Sequence, residues 1–203
     1  MRVTVTPEEI RTAFEAVKDD PAFEESRGIW ERGRPPVEML QAMCLRPGIL
    51  RAFGGFGESL YPGGLLERRV QELVILAASH ANDCQFCVNA HVDIVDIEDI
   101  LDEPLTLITE PANLPTRERL AVEYSRAATL DSNHIPEPLH AQLKEVFTDP
   151  ELVELTFLIG YINMLNLFNN SLGVRYDGDY RVLAQDPQGQ AAGPSSAPEA
   201  PRP

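Results

Sequence analysis

Cysteine is scarce in this chain: there are three in 203 residues, alongside four histidines and one tryptophan. So few thiols exclude a disulfide-stapled scaffold of the secreted kind. Basic residues are the minority as well, 17 against 32 acidic, for a net charge of −15. No basic cluster interrupts that negative field, so nucleic acid is excluded as a partner and an anionic membrane surface is disfavoured. The longest nearly uncharged stretch, 155–168, is too short to span a bilayer comfortably and is broken by glycine and two asparagines. Met1 to Glu9 lacks the apolar segment of a secretory signal, and a cytoplasmic location is expected. Gly54-Gly55-Phe56-Gly57 lacks the lysine of a phosphate loop, so no nucleotide cofactor is assigned.

Alternating strand patterns are also missing, and helical signals dominate. Thr6-Pro7-Glu8-Glu9 combines a cap, an early proline and a glutamate three residues after the cap, predicting a helix to about Lys18. Pro36 and Pro47 each suit a helix start, and Tyr61-Pro62-Gly63-Gly64 punctuates the chain. Apolar residues at 66, 70, 73, 74 and 77 predict a helix over 65–80, and Asn82-Asp83 marks a break before the next. Thr116 is expected to cap a helix to Leu130, and Pro136-Glu137-Pro138 to open one reaching Phe147. Thr148-Asp149-Pro150-Glu151 repeats the capping pattern before a helix ending near Gly173. That last helix is apolar on nearly all sides, which predicts cover from its own domain and from a second subunit. The expected architecture is one all-α, multi-helix domain over 1–183. A flexible Pro/Ala/Gly-rich tail is expected over 184–203, too poor in apolar residues to offset its ordering entropy.

The scarce thiols are not scattered. Cys84-Gln85-Phe86-Cys87-Val88-Asn89-Ala90-His91 places two cysteines and a histidine on one helical face, with Glu72 twelve residues before the first. Cys84, in the first helical turn near unpaired backbone amides, is favoured as thiolate. Its spacing from Cys87 permits a disulfide, so one thiol can attack an oxidant and the other resolve the product. His91 can exchange a proton near neutral pH, and a Glu72 carboxyl buried beside the thiols would have a raised pKa. Zinc on Cys84, Cys87 and His91 is the competing reading, with His80 or Glu72 as a fourth ligand. Three ligands on one straight helical face surround a metal poorly, so neither metal nor cofactor is assigned. Val88 excludes a haem-attachment motif.

The pattern Glu72-x11-Cys84-x2-Cys87-x3-His91 resembles the active-site signature of alkylhydroperoxidase D-like proteins in the carboxymuconolactone decarboxylase superfamily. The specific likeness covers about residues 65–95, and a looser one, including Asn166-Leu167-Phe168-Asn169-Asn170, extends over 119–174. The resemblance implies an all-helical fold, with the Cys-x-x-Cys motif at a helix N-terminus, and assembly as a homo-oligomer. It also implies that Cys87 is the peroxidatic thiol, Cys84 the resolving thiol, and His91 with Glu72 the proton relay. Here it disagrees with the helix-terminus argument, which favours Cys84 as nucleophile. Phe86 stands where the best-known members carry a proton-transferring histidine, which shortens the relay.

The function expected is thiol-dependent reduction of a small hydroperoxide, with an unidentified thiol or lipoyl-type reductant as partner. The alternatives are the lactone decarboxylation that names the superfamily, and a non-catalytic redox or metal-binding role. Cys44 is expected to be a small buried apolar residue. His80 is expected to interact with helix-terminal carbonyls, and His134 and His140 to lie on the surface without partners. Arg68-Arg69 reads as a solvated helix face, and Trp30, Phe14, Phe23, Phe53 and Phe56 as packing residues.

Overall fold

A computed structural model describes residues 1–57 and 59–185. Among them are eleven α-helices and no strand: α1 Pro7–Glu15, α2 Glu24–Glu31, α3 Glu38–Cys44, α4 Pro47–Gly54, α5 Arg68–Ala81, α6 Gln85–Ile97, α7 Pro104–Thr109, α8 Thr116–Asp131, α9 Glu137–Val146, α10 Asp149–Leu172 and α11 Arg181–Gln185. Of the expected tail, residues 184 and 185 close α11, and 186–203 lie outside the described residues.

The two capping boxes form as expected. Thr6 and Glu9 exchange bonds at the start of α1, and Thr148 and Glu151 do so at the start of α10. Other boundaries differ. α3 starts at Glu38 after a Val37 cap, and Thr116 is the first residue of α8, behind a Pro115 cap that contributes no side-chain bond. α5 starts at Arg68 rather than Leu65, and the Leu65 and Leu66 amides before it donate to the Glu154 carboxylate at 2.7 to 2.9 Å.

α5 is the central element, packed by α6, α7, α8 and α10. Every residue from Val70 to Ser79 is buried, so the expected one-sided apolar face understates its cover. One side, with Val70, Val74, Ile75 and Ala78, joins the main core, to which Phe14, Phe23, Trp30 and Phe53 contribute packed rings. The other, with Leu73, Leu76 and Ala77, joins a smaller cluster containing Val95, Ile108 and Val122. A fully buried aliphatic side chain contributes about 1.5–3 kcal/mol, so this helix anchors the domain.

The turn after α5 positions the thiols. Asp83 is left-handed at φ 50, a conformation that its short polar side chain tolerates. The Asp83 amide donates to the His80 carbonyl at 3.1 Å and the Cys84 amide to the Ser79 carbonyl at 2.9 Å. This is a Schellman stop, and its last residue, Cys84, is also the N-cap of α6.

α10 is stopped in the same way, by Gly173 at φ 60. Its 24 residues fill the span expected between Thr148 and Gly173, and by length and composition the whole helix, unlike its uncharged stretch 155–168, is long and apolar enough to cross a membrane. Of its most apolar window, 44% is buried within this domain. The buried face carries Leu155, Leu158, Ile159, Ile162 and Leu165, and also Asn166 and Asn169. Val153, Phe157, Met164 and Leu167 are exposed.

Thr148→Ala removes the α10 cap and is expected to cost about 1 kcal/mol. For a domain of this size thermal unfolding should show a fall in Tm of about 2–4 °C.

Candidate functional site

Two polar clusters lie inside the helical core, joined by α6. The first is the thiol pair. Cys84 and Cys87 are free and buried, with their sulfurs 2.9 Å apart. Cys84 has no exposed surface, whereas Cys87 keeps 5%. The Cys87 thiol group is the strongest influence on Cys84, lowering its pKa to about 7 against the effect of burial. The Asn166 and Asn169 side chains of α10 add to the lowering. Cys87 is raised well above the ordinary thiol value, first by its bond with Cys84 and then by burial. The first negative charge of the pair therefore appears on Cys84 near neutral pH.

Asparagines from α10 wall this pair. Asn169 Nδ2 donates to Cys87 Sγ at 3.2 Å and approaches Met39 Sδ at 3.5 Å. Asn166 Nδ2 donates to Ser79 Oγ at 3.1 Å, and its Oδ1 accepts from Asn82 Nδ2 at 2.9 Å. Asn82 Nδ2 also donates to Asn163 Oδ1 at 2.6 Å, tying the α5–α6 turn to α10.

The second cluster centres on Glu72, which has no exposed surface. His91 Nδ1 pairs with its Oε2 at 2.7 Å, and the Tyr61 hydroxyl donates to its Oε1 at 2.8 Å. Arg68, one turn earlier on α5, sits 3.2 Å from the same Oε1. Burial alone would raise the Glu72 pKa; the His91 and Arg68 charges and the bonds from His91 and Tyr61 outweigh it, and the pKa is lowered. The raised value expected from sequence is thus corrected: this carboxylate is paired with cation and donor groups and makes no hydrogen bond to either thiol among the described residues. With Nδ1 held by Glu72, His91 Nε2 is the nitrogen left for proton exchange.

Tyr61 and Arg68 are the members of this cluster that sequence reasoning missed. Tyr61 comes from the loop before α5 and stands 3.4 Å from His91 Nδ1 through its hydroxyl. Its own pKa is raised strongly, chiefly by burial. Arg68 lies over the Tyr61 ring at 4.4 Å and also pairs with Glu98 at 3.2 Å and Glu25 at 3.9 Å. Arg69 pairs with Glu118 at 3.0 Å. The expected solvated face at Arg68-Arg69 is therefore an ion-paired one; the i, i+4 spacing of Arg68 and Glu72 was the available signal.

The remaining candidates lie elsewhere. Cys44 is buried in the core and burial raises its pKa to about 11. His80 and His140 are exposed, and His134 has a partner after all, Asp131 Oδ2 at 2.7 Å. Among the described residues no group of three or more His, Cys, Asp or Glu side chains could hold a metal ion. A cavity of about 870 Å³ runs along α10 past Phe56, Phe157, Tyr161 and Met164, and neither cysteine lines it.

Glu72→Gln breaks a buried charge cluster and is expected to destabilise the fold by about 3–5 kcal/mol, and Tyr61→Phe by about 1–3 kcal/mol. The folded-state pKa of Glu72 is lowered, so its contribution is present above the unfolded carboxyl value of about 4.3 and is lost as pH falls through the folded value. Denaturant titrations should therefore show an acid-linked loss of stability in the wild type that is smaller in Glu72→Gln.

Residues 47–95, spanning α4 to α6, match the carboxymuconolactone decarboxylase family. The uncharacterised Escherichia coli (strain K12) protein YnjA is 28% identical over 133 residues, which cover 61% of this chain and 73% of YnjA. In structure the chain is similar to an uncharacterised peroxidase-related protein with an alkylhydroperoxidase AhpD core from Ralstonia eutropha JMP134. The TM-score is 0.68 at 23% identity, over 88% of this chain and 93% of that one. It is also similar to a protein of unknown function from Agrobacterium tumefaciens, an AhpD candidate for antioxidant defence. That TM-score is 0.60 at 26% identity, over 67% of this chain and 95% of that one. The signature residues Glu72, Cys84, Cys87 and His91 all lie inside the segment that matches the carboxymuconolactone decarboxylase family, and the fold along most of the chain is that of the alkylhydroperoxidase D-like core.

Proposed function

We propose that this protein reduces small hydroperoxides by a dithiol–disulfide cycle at Cys84 and Cys87. The observation that carries the reading is the pair itself: two free, buried sulfurs 2.9 Å apart, one of low pKa and the other protonated. Cys84 holds the resting charge, while Cys87 is the one of the two residues that keeps any exposed surface, 5%. Passing the Cys87 proton to Cys84 produces a Cys87 thiolate able to attack. That thiolate takes the terminal oxygen of ROOH, forming a sulfenic acid as the O–O bond breaks and RO⁻ leaves. His91, oriented through Nδ1 by Glu72, is the group proposed to return a proton to RO⁻ from Nε2. Cys84 gives up its proton through the His91 left neutral by the first step and attacks the Cys87 sulfenic sulfur; the disulfide forms and the leaving hydroxide takes that proton to depart as water. The sum is two thiols and ROOH giving a disulfide, ROH and water, and an external thiol or lipoyl-type dithiol must restore the pair. The enclosure of the sulfurs favours a slender substrate.

Intact mass and thiol counting after addition of tert-butyl hydroperoxide to reduced protein test this. Loss of two thiols and two hydrogens, mapped to Cys84–Cys87, is expected; unchanged thiols would overturn the reading. Cys87→Ser should abolish peroxide consumption, and Cys84→Ser should permit a single attack without recycling. In the wild type, alkylation by iodoacetamide should rise as pH increases through about 7, where Cys84 loses its proton.

We further propose that a second copy of this chain covers the exposed side of α10. Two copies at −15 repel each other except across an uncharged face, and 155–168 carries no charged residue. Val153, Phe157, Gly160, Met164 and Leu167 recur at helical seam spacing, so an antiparallel copy crossing near Gly160 would set Val153 against Leu167 and Phe157 against Met164. Light scattering should give a multiple of 22.5 kDa for the wild type and a shift toward the monomer for Phe157→Lys. A monomeric wild type would refute the pairing.

A further inference from the structure

Asn169 is 1% exposed, yet its amide is only half satisfied. Nδ2 donates to Cys87 Sγ at 3.2 Å, while Oδ1 is buried and has no hydrogen-bond partner among the described residues. A buried acceptor left empty costs about 1–3 kcal/mol, so its position beside a reactive sulfur calls for a reason. The amide cannot gain by turning over. Its nitrogen faces two electron-rich sulfurs, Cys87 Sγ and Met39 Sδ at 3.5 Å, and an oxygen there would repel a thiolate. The neighbouring Asn166 shows the contrast, with both ends of its amide engaged.

We propose that Asn169 is a positioning residue for the oxidised state of Cys87: Nδ2 stabilises the thiolate, and the vacant Oδ1 accepts the hydroxyl hydrogen of the Cys87 sulfenic acid. The inference rests on the hydroperoxide chemistry proposed for the pair. Reduction of ROOH moves two electrons from sulfur to the O–O bond and leaves Cys87–S–OH, which carries one new O–H donor beside the vacant acceptor. Satisfying Oδ1 at that stage holds the hydroxyl in a fixed orientation until Cys84 displaces it. It also disfavours deprotonation of the sulfenic acid, the route to a second oxidation.

The test uses full-length Cys84→Ser, in which resolution is blocked, with tert-butyl hydroperoxide and intact mass over time. Addition of one oxygen at Cys87 and slow addition of a second are expected. Asn169→Leu, close in volume but apolar, should slow the first addition and speed the second, each by about fivefold, the equivalent of one hydrogen bond. Asn169→Asp retains acceptor oxygens, so it should slow the first step yet keep the single-oxygen species within about twofold of its original lifetime. A purely structural role would not separate the two steps in this way. If the single-oxygen species forms but its lifetime is the same in Asn169→Leu, or is shortened as far by Asn169→Asp, the role of Asn169 is refuted while the peroxidase reading stands. If no oxygen is added with Asn169 intact, the peroxidase reading itself fails.

Discussion

A carboxylate with no exposed surface, Glu72, is the constraint around which the site is organised. Burying a charge is costly unless it is paired and hydrogen-bonded, so Glu72 dictates what surrounds it. His91 comes from α6, Tyr61 from the loop before α5, and Arg68 from the start of α5 itself. Arg68 then reaches Glu25 on α2 and Glu98 at the end of α6. One buried charge thereby sets the relation of four segments and fixes which nitrogen of His91 is free. The lowered pKa of Glu72 makes it an orienting anion at neutral pH rather than a proton reservoir.

The thiol pair depends on a different device, the left-handed turn at Asp83. It ends α5 and starts α6 within three residues, which sets Cys84 at a helix N-cap and Cys87 one turn inside. The two sulfurs share one proton between unequal surroundings. Polar α10 side chains help hold the charge on Cys84, while burial and the same shared proton keep Cys87 protonated. The resting charge thus sits on Cys84, while the small residual exposure of the pair belongs to the Cys87 residue. In the proposed cycle, helix-terminus electrostatics and the family resemblance point to different cysteines because the first concerns the resting ionisation and the second the attack.

Phe86 removes one proton carrier from the signature, and no titratable replacement stands at that position. The Phe86 ring packs edge-on against Tyr176 at 5.7 Å and so belongs to the core. In the proposed cycle, proton traffic falls to His91 and to the sulfurs themselves. α10 contributes asparagines instead, groups that orient and solvate without titrating. The same helix presents polar groups inward at Asn166 and Asn169 and apolar ones outward at Phe157 and Leu167. Its high hydrophobicity therefore serves two surfaces, one of them inside this domain.

Much was legible in the sequence because it is locally encoded. Capping boxes at Thr6 and Thr148, the stop at Gly173 and the break at Asn82-Asp83 need only neighbouring residues, and so does the seating of Cys84, Cys87 and His91 on one helical face. The spacing of Glu72 to Cys84 marked the right carboxylate without saying what it touches. The pairing of Glu72 with His91 depends on how α5 lies against α6. The roles of Tyr61, eleven residues before Glu72, and of Asn169, 82 residues after Cys87, depend on long-range packing. So does the sign of the Glu72 shift, because desolvation and pairing act in opposite directions and only the neighbours brought in by folding decide between them. The sequence by itself marked the longer helices and the candidate reactive residues, since both are written in short-range pattern, while α2, α7 and α11 were not read from it. The tertiary structure decided which groups meet, and hence where protons and charge reside, because those energies depend on distance and burial across the fold.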